Sequence, residues 1–249
     1  FVGIESPRSA SLQETHKTQN MREDLLSAVH RIQRAGMEVM AGMIVGFDHD
    51  DPAIFDEQFR FIQDARIPIS MTGMLNAVPK TPLYQRLKDA GRLLAESVGD
   101  QFVFTNIRPY GMSRIELYEG YKKLLQRLYD YRNYRERAMA LILNRGAEIE
   151  SKLLANSRDL GIFLRVVWNC IVRASPRRAW MTLSMMVETA WRRPQQFRTV
   201  VTLALIHKHF YEYVRDISVQ LDRLIVEMRA RPEAGMLPAS PVIDEPTAA

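Results

Sequence analysis

The chain has 249 residues, 47% hydrophobic and 25% charged. That ordinary globular composition excludes a wholly disordered, collagen-like or low-complexity protein. A single cysteine, Cys170, excludes an intramolecular disulfide framework and any cluster held by three or four cysteines of this chain. The net charge of +5 is uneven: residues 1–150 hold 20 Lys+Arg against 20 Asp+Glu, residues 151–231 hold 14 against 6, and residues 232–249 hold none against 3.

Phe1–Glu5 is a short apolar run that reads as a buried strand. Helical period follows, with Leu25, Val29 and Ile32 on one face. Asn20 and Glu23 resemble a capping arrangement, and Gly36 stops the helix. Glu38–Val45 reads as a second strand ending at Gly46. Asp51-Pro52 marks a helix start, and Ile54, Phe55, Phe59 and Ile62 form its apolar face. Ile67–Leu75 is a third strand, and Thr81–Gly91 a short helix. Strand and helix alternating at this spacing predict βαβ units and a parallel sheet. Gly99–Met112 reads as irregular. Ser113 with Glu116 predicts a capping box, and Leu117, Tyr121, Leu124, Leu125 and Leu128 continue at helical spacing. Tyr134–Asn144 is another helix. Three or four more lie between Glu148 and Ala230, broken near Ser175-Pro176 and Arg193-Pro194. Residues 232–249, with four prolines and no aromatic, read as a disordered tail.

Ligands of parallel α/β folds bind at the carboxyl ends of the strands. That rule selects Gly3-Ile4-Glu5-Ser6-Pro7, Gly42–Asp50 and Asn76–Pro82. Glu5 is placed to accept hydrogen bonds from hydroxyls or an ammonium group; the alternative is a solvated carboxylate beside a turn capped by Ser6. Gly42 and Gly46 permit close approach of a ligand to the backbone of the second strand, or else mark a bulge or tight packing. Asp48, His49, Asp50 and Asp51 suggest either a metal or the capping of a helix start; the capping reading is adopted and no metal site is expected. His207 and His209 lie on different helix faces, which is poor ligand geometry.

Taken in order, FVGIES, GMIVGFDHD and NAVPKTPLY resemble the fourth-, fifth- and sixth-strand segments of a radical S-adenosylmethionine (radical SAM) barrel. The last is usually a Pro-Gly-Thr-Pro turn, and Lys80 stands here at the Gly. The surrounding sequence is similar to the cobalamin-binding-domain group with a helical C-terminal domain, which includes hopanoid-associated methylase-like members. The implied fold is α/β: the last three parallel strands of a partial barrel, then an all-α domain and the tail. The implied boundaries are 1–98 for the barrel half, 99–146 for a connecting segment and first helices, 147–231 for the helical domain and 232–249 for the tail.

The same resemblance implies S-adenosylmethionine (SAM) as cofactor. Glu5 and Ser6 would contact its ribose or amino group, Gly42, Ile44 and Gly46 would line the adenine pocket, and Asp48, with Asp50, would stand at the rim. It implies a 4Fe-4S cluster, whose CxxxCxxC loop this chain does not contain, and cobalamin, whose domain is also not in this chain. No catalytic residue is assigned. The implied reaction is cleavage of SAM to a 5′-deoxyadenosyl radical, with methyl transfer to an unactivated carbon of a small or lipid-like substrate. Phe1 in place of an initiating Met suggests a piece of a longer protein. The expected partner is then the missing N-terminal barrel half, and this chain alone is expected to be inactive. The competing reading is a non-catalytic basic helical module. Trp168, Trp180, Trp191, Phe197 and Phe210 within residues 151–231 would meet a membrane surface or a protein groove; in an ordinary amphipathic bundle they would be core. No nucleic-acid motif is present, and a thiol-poor chain without a visible targeting segment suits the cytoplasm.

Overall fold

The computed structural model describes residues 1–14, 24–95, 102–146 and 157–230. Three strands, β1 (Val2–Glu5), β2 (Met40–Val45) and β3 (Ile69–Met74), form one parallel sheet in the order β1-β2-β3. Helices α1 (Ser9–Glu14) and α2 (Leu25–Arg34) link the first two strands, and α3 (Ile54–Asp64) links the second pair. Then come α4 (Pro82–Asp89), α5 (Arg114–Leu128), α6 (Tyr131–Asn144), α7 (Ser157–Val167), α8 (Pro176–Arg192) and α9 (Phe197–Ala230). The chain is therefore an α/β unit with a helical C-terminal region. Among the described residues no helix is long and apolar enough to cross a membrane.

The local signals act where the residue chemistry requires. The capping box forms in full: Ser113 Oγ accepts from the Glu116 N–H (3.2 Å) and Glu116 accepts from the Ser113 N–H (2.8 Å). The helical stretch breaks at Ser175-Pro176 and again at Arg193-Pro194. Between α7 and α8 one π turn, Trp168–Val172, intervenes. The α2 helix starts at Leu25 with Asp24 as its cap, which accepts from the Ser27 N–H (2.9 Å); Asn20 and Glu23 lie outside the described residues, as does the tail 232–249. Helix α3 starts at Ile54, later than Asp51-Pro52 predicts. Asp51 instead closes a turn on the Ala53 N–H (2.9 Å) and pairs with Arg8. Strand β3 starts two residues late because the carbonyls of Ile67 and Pro68 turn to the buried Arg137 guanidinium (3.0 and 3.4 Å).

Ala41, Met43 and Val45 of β2 are buried, as are their β3 partners Ser70, Thr72 and Met74. This face joins α2, α3 and α5 in a core that continues without a gap into α6, α8 and α9. The other face is different. Gly42 and Ile44 are half-buried, Met40 and Met71 exposed, and the ring of Phe1 lies over Gly42. Parallel sheets are normally covered on both sides.

The outer edge of β3 is closed by side chains. Tyr121 Oη donates to the Thr72 carbonyl (2.9 Å), and Tyr129 Oη both donates to the Ser70 carbonyl (2.8 Å) and accepts from its N–H (3.2 Å). Thr105 donates to the Leu75 carbonyl (2.5 Å), and Asn106 makes a pair of 2.8 Å bonds with the Ala77 backbone. Buried phenols thus do for this strand what a neighbouring strand would do.

Candidate functional site at the strand ends

The loops at the carboxyl ends of the three strands are held by buried polar contacts. At β1 the register slips between Gly3 and Glu5, and Glu5 adopts φ +68°. A non-glycine residue there costs about 1 kcal/mol, and the twist turns the chain sharply out of the sheet. Ser6 follows, fully buried. Its N–H donates to the Ile4 carbonyl (2.9 Å) and its Oγ accepts from the Arg8 N–H (3.2 Å).

At β2 the chain turns at Gly46, whose φ is +103° and whose Cβ position is 3.4 Å from Leu117. The conformation demands glycine, whereas the space around it would admit a Cβ. The turn is gripped by Asp50, only 1% exposed, which accepts from the N–H groups of Gly46 (2.9 Å) and Phe47 (3.1 Å) and from Ser11 Oγ (2.8 Å). Burial pushes this carboxyl up to about 6, against the opposing pull of those three donors. Asp48 points elsewhere, to Arg92 (2.5 Å) and Arg86 (3.3 Å). Glu14 at the end of α1 takes Arg86 (2.5 Å) and the Asp48 N–H (3.0 Å). Arg8 binds Glu57 (2.5 Å), Asp51 (2.8 Å) and the His49 carbonyl (2.9 Å). The Arg8 guanidinium holds Asp51 below the usual carboxylate range.

Asp48, Asp50 and Asp51 therefore each have a different set of partners and do not converge. Among the described residues no group of three or more His, Cys, Asp or Glu could hold a metal ion.

At β3 the exit turn runs Val78-Pro79-Lys80-Thr81. The Thr81 N–H reaches the Val78 carbonyl (3.3 Å) and Lys80 has φ +68°. Pro followed by a left-handed residue is the pattern of a type II turn, which favours glycine at the second place. Lys80→Gly should stabilise the chain by about 0.5–1 kcal/mol, read as a higher urea midpoint at unchanged m-value.

The structure brings Glu5, Gly42, Ile44 and Gly46 to neighbouring positions on adjacent strands, with Glu5 paired in register beside Met43. Ser6 and Asp50 are buried behind them, and Asp48 is tied into the arginine network. Sequence reasoning missed Arg8, Glu14, Arg86 and Arg92. They act across 34 to 72 positions of sequence, and no local pattern marks such pairs. A separate apolar cavity of 150 Å³ lies between the β3 edge, α5 and α9, lined by Met71, Phe102, Tyr121, Phe210 and Tyr213 among others.

The described chain is thus a small parallel sheet with structured strand-end loops, packed against a helical C-terminal region. It belongs to the family defined by a domain of unknown function, DUF4070, which matches residues 81–223. An uncharacterized methyltransferase of Synechocystis is 34% identical over 218 residues, covering 86% of this chain and 40% of that protein. The hopanoid C-2 methylase of Rhodopseudomonas palustris is 42% identical over 94 residues, 38% of this chain and 18% of that protein. The bacteriochlorophyllide d C-12(1)-methyltransferase of Chlorobaculum tepidum is 24% identical over 128 residues, 51% and 28% of the two chains. The chain thus spans less than half the length of these curated relatives. No solved structure matches it. The resemblance to hopanoid-associated methylase-like proteins, drawn from the sequence around the strand-end motifs, holds.

Proposed function

We propose that residues 1–98 supply the last three strands of a radical SAM barrel, and that residues 99–146 and 147–231 form the connection and helical cap, in a methyltransferase acting on an apolar carbon substrate. The observation that carries the reading is the half-exposed, glycine-bearing face of a parallel sheet whose strands follow one another without reversal. Further barrel strands would cover that face. The named relatives, all methyltransferases, support the reaction class.

The residues present fit SAM. The Phe1 ring over Gly42 comes within 2.9 Å of where a Cβ would stand, so β2 offers bare backbone on which a flat aromatic ring rests. An adenine would take that place, with Phe1 displaced. Gly42 and Ile44 would line it, and Gly46 would let the chain turn away beneath it. Glu5, aimed by its left-handed φ, would accept from the ribose hydroxyls or the ammonium group. Ser6 would hold the Glu5 turn, and Asp48 with Asp50 would fix the loop at the rim. When bound, SAM supplies a transferable methyl or 5′-deoxyadenosyl group.

The residues do not fit a 4Fe-4S cluster. The one cysteine, Cys170, is fully buried, and its thiol is pushed up by that burial. No step is assigned to a cluster or to cobalamin in this chain. The aromatic cavity beside Met71 supports an apolar substrate.

The test is SAM titration of the full-length protein, reconstituted anaerobically, beside its Gly42→Val variant. We expect affinity to fall by roughly tenfold or more, about 1.4 kcal/mol, with the thermal midpoint unchanged. Equal affinity of the two proteins would remove the adenine site from β2.

A further inference from the structure

All three tryptophans of the chain lie in the helical region, and all are exposed: Trp168 by 54%, Trp180 by 72% and Trp191 by 88%. Tryptophan is among the residues a fold buries most on average. On α8 the inward face is made by Met181, Thr182, Met185, Met186 and Thr189. The outward face carries Trp180, Leu183, Val187 and Trp191, spaced so that they share one stripe, with Leu183 exposed by 45% and Val187 by 61%. The helix is thus apolar on both sides. An open groove of 460 Å³ runs along the outward stripe and is rimmed by Arg135 and Arg192. The π turn that α8 packs on shows the same character, with Trp168 and Val172 exposed, as is Leu164 of the preceding α7.

The charges around the stripe are predominantly basic. Glu188 is the one carboxylate of α8, and Arg135 (2.6 Å) and Arg192 (2.9 Å) both bind it. Arg165, Arg173 and Arg177 are exposed nearby in sequence. Residues 157–193 carry seven Lys+Arg against two Asp+Glu. Interfacial tryptophans with a basic rim complement the boundary zone of an anionic bilayer, where the indole sits at headgroup depth and arginines meet phosphate. A second copy of the chain is less suited. A stable dimer needs roughly 800 Å² from each partner, and a stripe of four side chains does not supply that area.

We propose that the outward face of α8 is a peripheral docking surface for an anionic phospholipid bilayer, with Trp180 and Trp191 inserted and the neighbouring arginines on the lipid phosphates. This stands apart from the proposed SAM chemistry, and its test needs no cofactor. The full chain is sedimented with vesicles of phosphatidylcholine alone and of phosphatidylcholine with phosphatidylglycerol at 3:1. The expected result is co-sedimentation with the anionic vesicles, a blue shift of tryptophan emission, and release by high salt.

The Trp180→Ser/Trp191→Ser variant should bind at least about tenfold more weakly. Arg173→Glu/Arg177→Glu should lose the preference for anionic lipid, both variants keeping the wild-type circular dichroism. Equal recovery in the supernatant with both vesicle types would overturn the proposal. Equal binding to neutral vesicles would also overturn it. So would a dimer in light scattering that the tryptophan variant abolishes while no vesicle binding is seen.

Discussion

Asp50→Ala should destabilise the chain by about 3–4 kcal/mol, because it leaves the buried N–H groups of Gly46 and Phe47 without an acceptor and Ser11 without its partner. Chemical denaturation at pH 7 measures this directly. Asp50→Asn keeps one acceptor oxygen and a donor for Ser11, and should recover more than half of the loss. The carboxylate also carries a pH signature. Its folded pKa of about 6 lies above its ordinary value near 3.8, so the native state holds the extra proton between those values. Its contribution is full below pH 3.8 and is lost as pH rises through 6.

Fully buried His207, depressed to about 4 by desolvation, has the opposite slope: its contribution is full above 6.5 and is lost as pH falls toward 4. The two largely offset one another in the wild type. In Asp50→Asn the slope of the histidine is no longer opposed, and stability should fall by about 3 kcal/mol between pH 6.5 and 4. A wild-type profile as steep as the variant's would mean that Asp50 is ionised throughout.

The second large effect comes from a pair of helical glycines with opposite fates. In α5, a Cβ on Gly120 would lie 2.0 to 2.4 Å from three ring atoms of buried Phe55. No adjustment of a phenyl ring within its own contact shell clears that overlap, so α3 and α5 must separate. Gly120→Ala should cost about 2–3 kcal/mol, even though alanine is the better helix former by about 1 kcal/mol. Gly161 in α7 has no atom within 4 Å of its Cβ position. The same substitution there should stabilise by about 0.5–1 kcal/mol. Phe55→Leu should be costly alone but should soften the Gly120→Ala loss, giving a measurable coupling in a double-mutant cycle. Additive losses would mean that the helices do not cross at this pair.

The elements were legible wherever one short-range cause dominates. Short apolar runs marked all three strands, and Ser113 with Glu116 marked the start of α5. Proline marked both breaks in the helical region, and the separation of His207 from His209 followed from helical spacing: one is buried and the other exposed. The strand-end stretches were legible too, because in a parallel sheet they follow from strand direction alone. What stayed hidden was long-range charge. Asp48 reads as a free rim carboxylate until Arg86 of α4 and Arg92 just after it arrive. Asp51 reads as a helix cap until Arg8 claims it. The tryptophans illustrate the converse. Helical periodicity places them on a face, and the bundle reading put that face in the core. The structure turns it outward, because methionine and threonine on the other side of α8 already fill the seam with α6 and α9.

The phenols along β3 bear on how the chain can be divided. Tyr121 and Tyr129 sit on α5 and its C-terminal end, and the helix bearing them is in turn clamped by α9. A fragment cut before Ser113 would bare the polar backbone of a three-stranded sheet at the moment it lost its apolar seat. Such an edge recruits other chains, and the expected product is insoluble. The smallest piece that can be handled therefore reaches α9, and expression trials of the sheet without its helices would report on aggregation rather than on cofactor binding.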